Sequence, residues 1–150
     1  SGERSWDFNV KEQGFRYHMS NIMAAIGVAQ IDRIEEFKNK RQKIVKTYIE
    51  KLKDIDDITF LDFNFNEILP HIFVIKEQKR DELREYLVSN NIECGIHYKP
   101  NHMLSKYKTR YPLKVTEKTY KQILTLPCHF DLTEVEYNFV IAKIMDFYIG

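Results

Sequence analysis

"HIFVIKEQKRDELREYLVSNNIECGIHY", residues 71–98, decides the fold class. Its opening "HIFVIK" (71–76) is rich in β-branched and aromatic residues and reads as a strand. In "KRDELREYLVSNN" the period changes: Leu83 and Leu87 stand at i, i+4, and Asn90-Asn91 gives a stop signal, so a helix follows. "IECGIHY" (92–98) returns to alternation and predicts another strand. A strand precedes this unit at "ITFLDF" (58–63), joined to it by "NFNEILP". Beyond it come "KPNHMLSKYKTRYP", a loop with about one helical turn, a short helix "TEKTYKQIL" capped by Thr116, and an extended "LTLPCH" ending at Pro127. The last helix has a marked start. Thr133-Glu134-Val135-Glu136 has the capping-box pattern, with Leu132 and Tyr137 placed as a hydrophobic staple, and Val135, Phe139, Ile144 and Phe147 are expected on its inner face.

Upstream, Ile22, Ile26, Ala29, Ile34, Phe37, Ile44, Tyr48 and Leu52 recur mostly at steps of three, four and seven. This predicts one amphipathic helix from an N-cap at Ser20 to Leu52, about 50 Å long at ~1.5 Å per residue. Its charged half, "KNKRQKIVKTYIEKLKD", reads as a solvated face. Residues 1–13 lack periodicity, although "SWDFNV" suits a short strand. The order is long helix, β, β, α, β, α, β, α. It predicts an α+β fold in which helices cover a small, mostly antiparallel sheet. The expected division is a lead-in strand or loop at 1–18, a long interdomain helix at 19–53 and a small α+β domain at 54–150. The opening "SGERSWDF", without an initiator methionine, suggests a piece of a longer protein.

Composition narrows the function classes. With 23 basic and 22 acidic residues and a net charge of +1, the chain has neither the footprint of an obligate nucleic-acid binder nor that of a polybasic membrane binder. No apolar run reaches the ~18 residues of a membrane span. Cys94 and Cys128 are too few for a disulfide framework, which points to a reducing cytoplasm and to two small buried hydrophobes. The glycines form neither G-x-G-x-x-G nor a Walker loop, and no G-x-S-x-G elbow occurs.

Four groups of residues invite chemistry. "SKYK" (105–108) has Ser-x-x-Lys spacing, which arises readily by chance in a lysine-rich chain. Cys94, His97 and His102, with Cys128 and His129, hold metal-ligating side chains at spacings that match no standard zinc pattern, and alternation sends Cys94 and His97 to opposite strand faces. No metal site is therefore expected. "GIHYKPNH" sets His97, Tyr98, Lys99 and His102 where a strand enters a loop, a usual place for binding groups. "GFRYHMS" does the same with Arg16, Tyr17 and His18 ahead of a helix, whose N-terminus favours an anion.

Three blocks, in order, resemble the DegT/DnrJ/StrS family of sugar aminotransferases. "GFRYHMSNIMAAIGVAQIDRIEEF" is similar to the family's turn and long helix. "KRDELREYLVSNNIECGIHYKPNHMLSKY" is similar to its R-D-E-L helix, G-[IV]-H-Y strand and P-x-H loop, and "LTLPCHFDLTEVEYNFVI" to its L-S-L-P-x-H ending. The resemblance implies a pyridoxal-phosphate (PLP) transaminase of the aspartate aminotransferase fold, moving an amino group from a glutamate-like donor to a nucleotide-linked keto sugar. It implies further that the catalytic lysine lies in a large domain preceding this region. The chain would then be the C-terminal small domain with its lead-in helix, inactive alone and part of a homodimer. By the same resemblance the turn at Arg16 and His18, where many members carry Asn, reaches the partner's PLP phosphate, and His97, Tyr98 and His102 position the substrate. No catalytic residue is expected within the chain. The alternative is a non-catalytic interaction or ligand-binding module that keeps this fold.

Overall fold

The structure, a computed structural model, describes residue 15 and residues 17–149. The chain divides between Arg33 and Ile34 into two compact units.

The first unit contains α1 (Asn21–Ile31). Ser20 caps it as expected, its Oγ accepting the Met23 N–H at 3.3 Å. None of its residues is buried. The helix ends where Arg33 N–H turns back to Gln30 O at 3.1 Å, a tightened last turn. Helix α2 (Ile34–Leu52) then begins anew, so two helices stand where the apolar recurrence predicts one. The turn at Asp32-Arg33 falls between Ala29 and Ile34, a step of five and the one point where that recurrence loses phase.

The second unit is a three-stranded antiparallel sheet in the order β1 (Ile58–Phe60), β2 (Phe73–Glu77), β3 (Ile123–Leu126). Ile58 pairs with Glu77, and Phe73 with Leu126. With α2 and the later helices α3 (Arg80–Ser89), α4 (Lys114–Gln122) and α5 (Glu134–Ile149), the described residues form the α+β fold expected. Helix α5 packs against both α2 and α3, and α4 against β2.

Pleating selects the face of β2 that meets the core: Phe73, Ile75 and Glu77 are buried, while Val74 and Lys76 are half-buried. Phe73 is its aromatic centre. Tyr48 of α2 lies parallel to it at 5.5 Å, and the Phe60 and Phe65 rings approach at 6.1 and 6.0 Å. Each such ring pair contributes about 0.5–1.5 kcal/mol beyond its buried area. The Tyr48 hydroxyl donates to Pro127 O at 3.1 Å, which ties α2 to the chain leaving β3. Two arginines join backbone across the unit. Arg41 Nη1 donates to Pro70 O and His71 O, and Arg80 Nη1 to Tyr120 O and Ile123 O. Part of the charged α2 surface read as solvated thus holds the connection into β2.

Other boundaries differ from expectation in instructive ways. "IECGIHY" makes no continuous strand; its ladder is one bridge, Gly95 with Thr125. Thr116 lies inside α4, whose N-cap is Leu113. On α5 the capping box forms, with Thr133 N–H donating to Glu136 Oε2 at 2.7 Å and Glu136 N–H to Thr133 Oγ1 at 3.3 Å. The staple residues Leu132 and Tyr137 are both buried. The inner face, however, is Tyr137, Val140, Ile141 and Ile144, while Val135 is 80% and Phe139 47% exposed. The four buried residues recur at i, i+3, i+4 and i+7, with Glu134, Glu136, Asn138, Lys143 and Asp146 all outside their stripe, so the helical period itself marks the face that packs on α2 and α3.

Candidate functional site

A cleft of about 710 Å³ opens in the second unit between Arg41 of α2, residues 71–72, residues 91–97, the end of β3 with residues 127–129, and the first half of α5. Its wall at 91–97 is placed by the end of α3. Asn91 takes φ 60°, its N–H reaches Val88 O, and the Ile92 N–H reaches Leu87 O at 2.9 Å. This is a Schellman motif with asparagine at the left-handed position, and Leu87 and Ile92, its hydrophobic pair, are both buried. The stop signal at Asn90-Asn91 therefore also sets the direction in which the chain enters the cleft.

Four residues later the chain meets β3. Gly95 N–H donates to Thr125 O at 3.1 Å, and Thr125 N–H returns a bond to Gly95 O at 2.8 Å. The Thr125 hydroxyl lies 2.9 Å from His97 Nδ1. The imidazole folds back over Gly95 so closely that a Cβ there would collide with it, Nδ1 being 2.9 Å from that position. The absence of a side chain at 95 is what admits the ring.

The candidate residues have different fates. His97 lines the cleft. Tyr98 is 69% exposed and meets His97 edge-on at 4.8 Å. His102 sits in a single 3₁₀ turn, Asn101–Met103, and its Nε2 lies 3.3 Å from Glu117 Oε1 on α4. Neither Tyr98 nor His102 lines the cleft. His18 is an exposed residue of the first unit, two positions before the Ser20 cap, and Arg16 lies outside the described residues. Ser105 and Lys108 are both exposed.

Cys94 and Cys128 line the cleft, and burial pushes each thiol up to about 11, away from the nucleophilic thiolate. Among the described residues no group of three or more His, Cys, Asp or Glu is placed to hold a metal ion. Arg41, His71, Thr125 and Glu136 enter the cleft wall without having been singled out by sequence. Glu136 is marked only as part of a capping box, and Arg41 and Thr125 are held by partners 28 to 30 positions away, so no binding motif marks them. The wall thus offers a guanidinium, imidazoles, a hydroxyl and the carboxylates of Glu93 and Glu136 among apolar side chains, a set able to hydrogen-bond a polar ligand. Lysine is not among the lining residues. A Schiff-base cofactor needs a primary amine, so this wall does not fit PLP, and no step of PLP chemistry passes through it.

The family model for DegT/DnrJ/EryC1/StrS aminotransferases matches residues 1–145. The chain belongs to this family. A Campylobacter jejuni relative, a UDP-4-amino-4,6-dideoxy-N-acetyl-beta-L-altrosamine transaminase, is 28% identical over 151 residues, covering 92% of this chain and 39% of its own. The crystal structure of a DegT/DnrJ/EryC1/StrS aminotransferase from Brucella abortus is 28% identical and superposes with a TM-score of 0.78, covering 99% of this chain and 40% of that one. A Streptococcus pneumoniae protein solved in a PLP form shares the fold at 23% identity and a TM-score of 0.80, covering 93% and 38%. The chain therefore spans about two fifths of the length of these family members.

Proposed function

We propose that the chain is the C-terminal portion of a PLP-dependent nucleotide-sugar aminotransferase. The observation that carries this reading is the pairing of a family match over residues 1–145 with a span of only 39–40% of the transaminase and aminotransferase it resembles. Such an enzyme takes an amino group from a glutamate-like donor and passes it to a keto sugar carried on a nucleotide. The nucleotide-sugar substrate is supported by the name of the Campylobacter relative, and PLP by the form in which the Streptococcus protein was solved.

In this reading residues 1–18 lead in from the catalytic domain, residues 19–53 join the domains, and residues 54–150 form the small domain. When bound, PLP supplies the electron sink for amino transfer, and the lysine that holds it belongs to the domain outside this chain. His97 donates to or accepts from the substrate at the cleft, and Tyr98 and His102 shape the loop beside it. Arg16 and His18 reach the cofactor phosphate of the partner subunit in a cytoplasmic homodimer. The chain alone carries no turnover.

Incubation of the chain with PLP, reduction with borohydride and peptide mass mapping tests this. Sparse label scattered over surface lysines is the expected result. Stoichiometric label on one lysine would show a Schiff-base site inside the chain and overturn the division of labour.

A further inference from the structure

A buried hydroxyl has one hydrogen to give, and its partner decides where that hydrogen goes. Thr125 is 7% exposed, and both of its backbone polar groups are spent on Gly95. Among the described residues its Oγ1 makes one hydrogen bond, the 2.9 Å contact with His97 Nδ1. If Nδ1 carried the ring hydrogen, Oγ1 would accept it, and the hydroxyl hydrogen would have no acceptor among the described residues, leaving it to whatever fills the cleft. If Oγ1 donates instead, both groups are satisfied. The neutral ring then carries its hydrogen on Nε2, which makes no hydrogen bond among the described residues.

We infer that Thr125 is a positioning residue: it locks His97 in the Nε2–H tautomer, so that the imidazole presents a hydrogen-bond donor to the cleft. Gly95 completes the device, because only a residue without Cβ leaves the ring room to reach Thr125. Backbone pairing of Gly95 with Thr125 fixes the hydroxyl relative to the segment that bears the histidine. An occupant met this way supplies an acceptor oxygen, whether hydroxyl, carbonyl or phosphoryl. That this oxygen belongs to a sugar nucleotide rests on the function proposed above. The tautomer does not, so the two fail separately.

The test is a long-range ¹H–¹⁵N correlation of the imidazoles in the ¹⁵N-labelled chain at alkaline pH, where imidazole is neutral. His97→Gln assigns the signals. The wild type is expected to show Nε2 with the shift of a protonated ring nitrogen and Nδ1 with that of an unprotonated one, widely separated. Thr125→Ser should keep that separation. Thr125→Val should narrow it as the tautomers interchange, with Gly95 amide protection unchanged as the control on folding. Hydrogen on Nδ1 in the wild type, an averaged pair of shifts there, or a Thr125→Val spectrum matching the wild type each overturns the inference. Should Thr125→Val lose the fold, the wild type decides. A Thr125 hydroxyl proton protected from exchange and close to the His97 ring supports the inference, and an unprotected one overturns it.

Discussion

Oε1 of Glu117 lies 3.3 Å from His102 Nε2 and also accepts the Leu113 N–H at 3.1 Å. One carboxylate oxygen thus closes the start of α4 and ties the 3₁₀ turn of the 99–113 loop to it. His102 is thus tied to α4 and outside the cleft lining, while His97 stands in its wall.

Glu117→Ala removes both bonds. The expected cost is about 1–3 kcal/mol, read from denaturant midpoints, since each hydrogen bond of this kind contributes about 0.5–1.5 kcal/mol net. Amide exchange at Met103 and Leu104 should quicken more than at β2. Unchanged exchange in that turn would show that the loop is held by other contacts.

Gly95→Ala drives a methyl group into the His97 ring. Overpacking of this sort costs about 1–3 kcal/mol. The specific outcome is loss of the His97–Thr125 contact, seen as a change in the His97 ring shifts with the Gly95–Thr125 backbone pairing kept. A ring unmoved in the alanine variant would contradict the close approach.

Glu77 is 1% exposed, and its buried carboxylate faces the Lys79 backbone and the Tyr148 hydroxyl without reaching full hydrogen-bond geometry to either. Burial raises its pKa above the ordinary 4.5, and Asp57 nearby raises it further; the Lys79 backbone and charge and the Tyr148 hydroxyl pull the other way. The folded chain thus holds this proton to higher pH than the unfolded chain. The contribution to stability is full below about pH 4.5 and is lost as pH rises through the folded-state value. Glu134 and Glu136, whose pKa values are lowered by Lys43 and Thr133, slope the opposite way. Denaturation of wild type and Glu77→Gln across this range isolates the Glu77 share: the variant should lack the decline. Parallel profiles would remove the claim.

Helix α1 exposes Ile22, Met23, Ile26, Val28 and Ile31, each at least 55% accessible. An apolar surface of this kind on a free chain drives association. Sedimentation of the chain should depend on concentration, and Ile22→Glu with Ile26→Glu should return it to monomer. A wild-type monomer at every concentration would contradict this.

Local chemistry was legible in the sequence wherever the contacts are local. The α5 capping box spans four residues, Thr133 to Glu136, and the α3 stop is made by Asn90 and Asn91 against the turn just before them. Strand content at β1 and β2, the α+β class and the family motifs follow likewise from short stretches. What the sequence left open depended on distant partners. His97 and His102 look equivalent in "GIHYKPNH", yet one meets a hydroxyl 28 positions away and the other a carboxylate 15 positions away. Arg41 looked like one charge among many until its guanidinium met carbonyls 29 and 30 positions on. The sequence by itself determined the α+β class, the caps at Ser20 and Thr133, the stop after α3 and the family. Tertiary packing alone decided which of those side chains share a cleft.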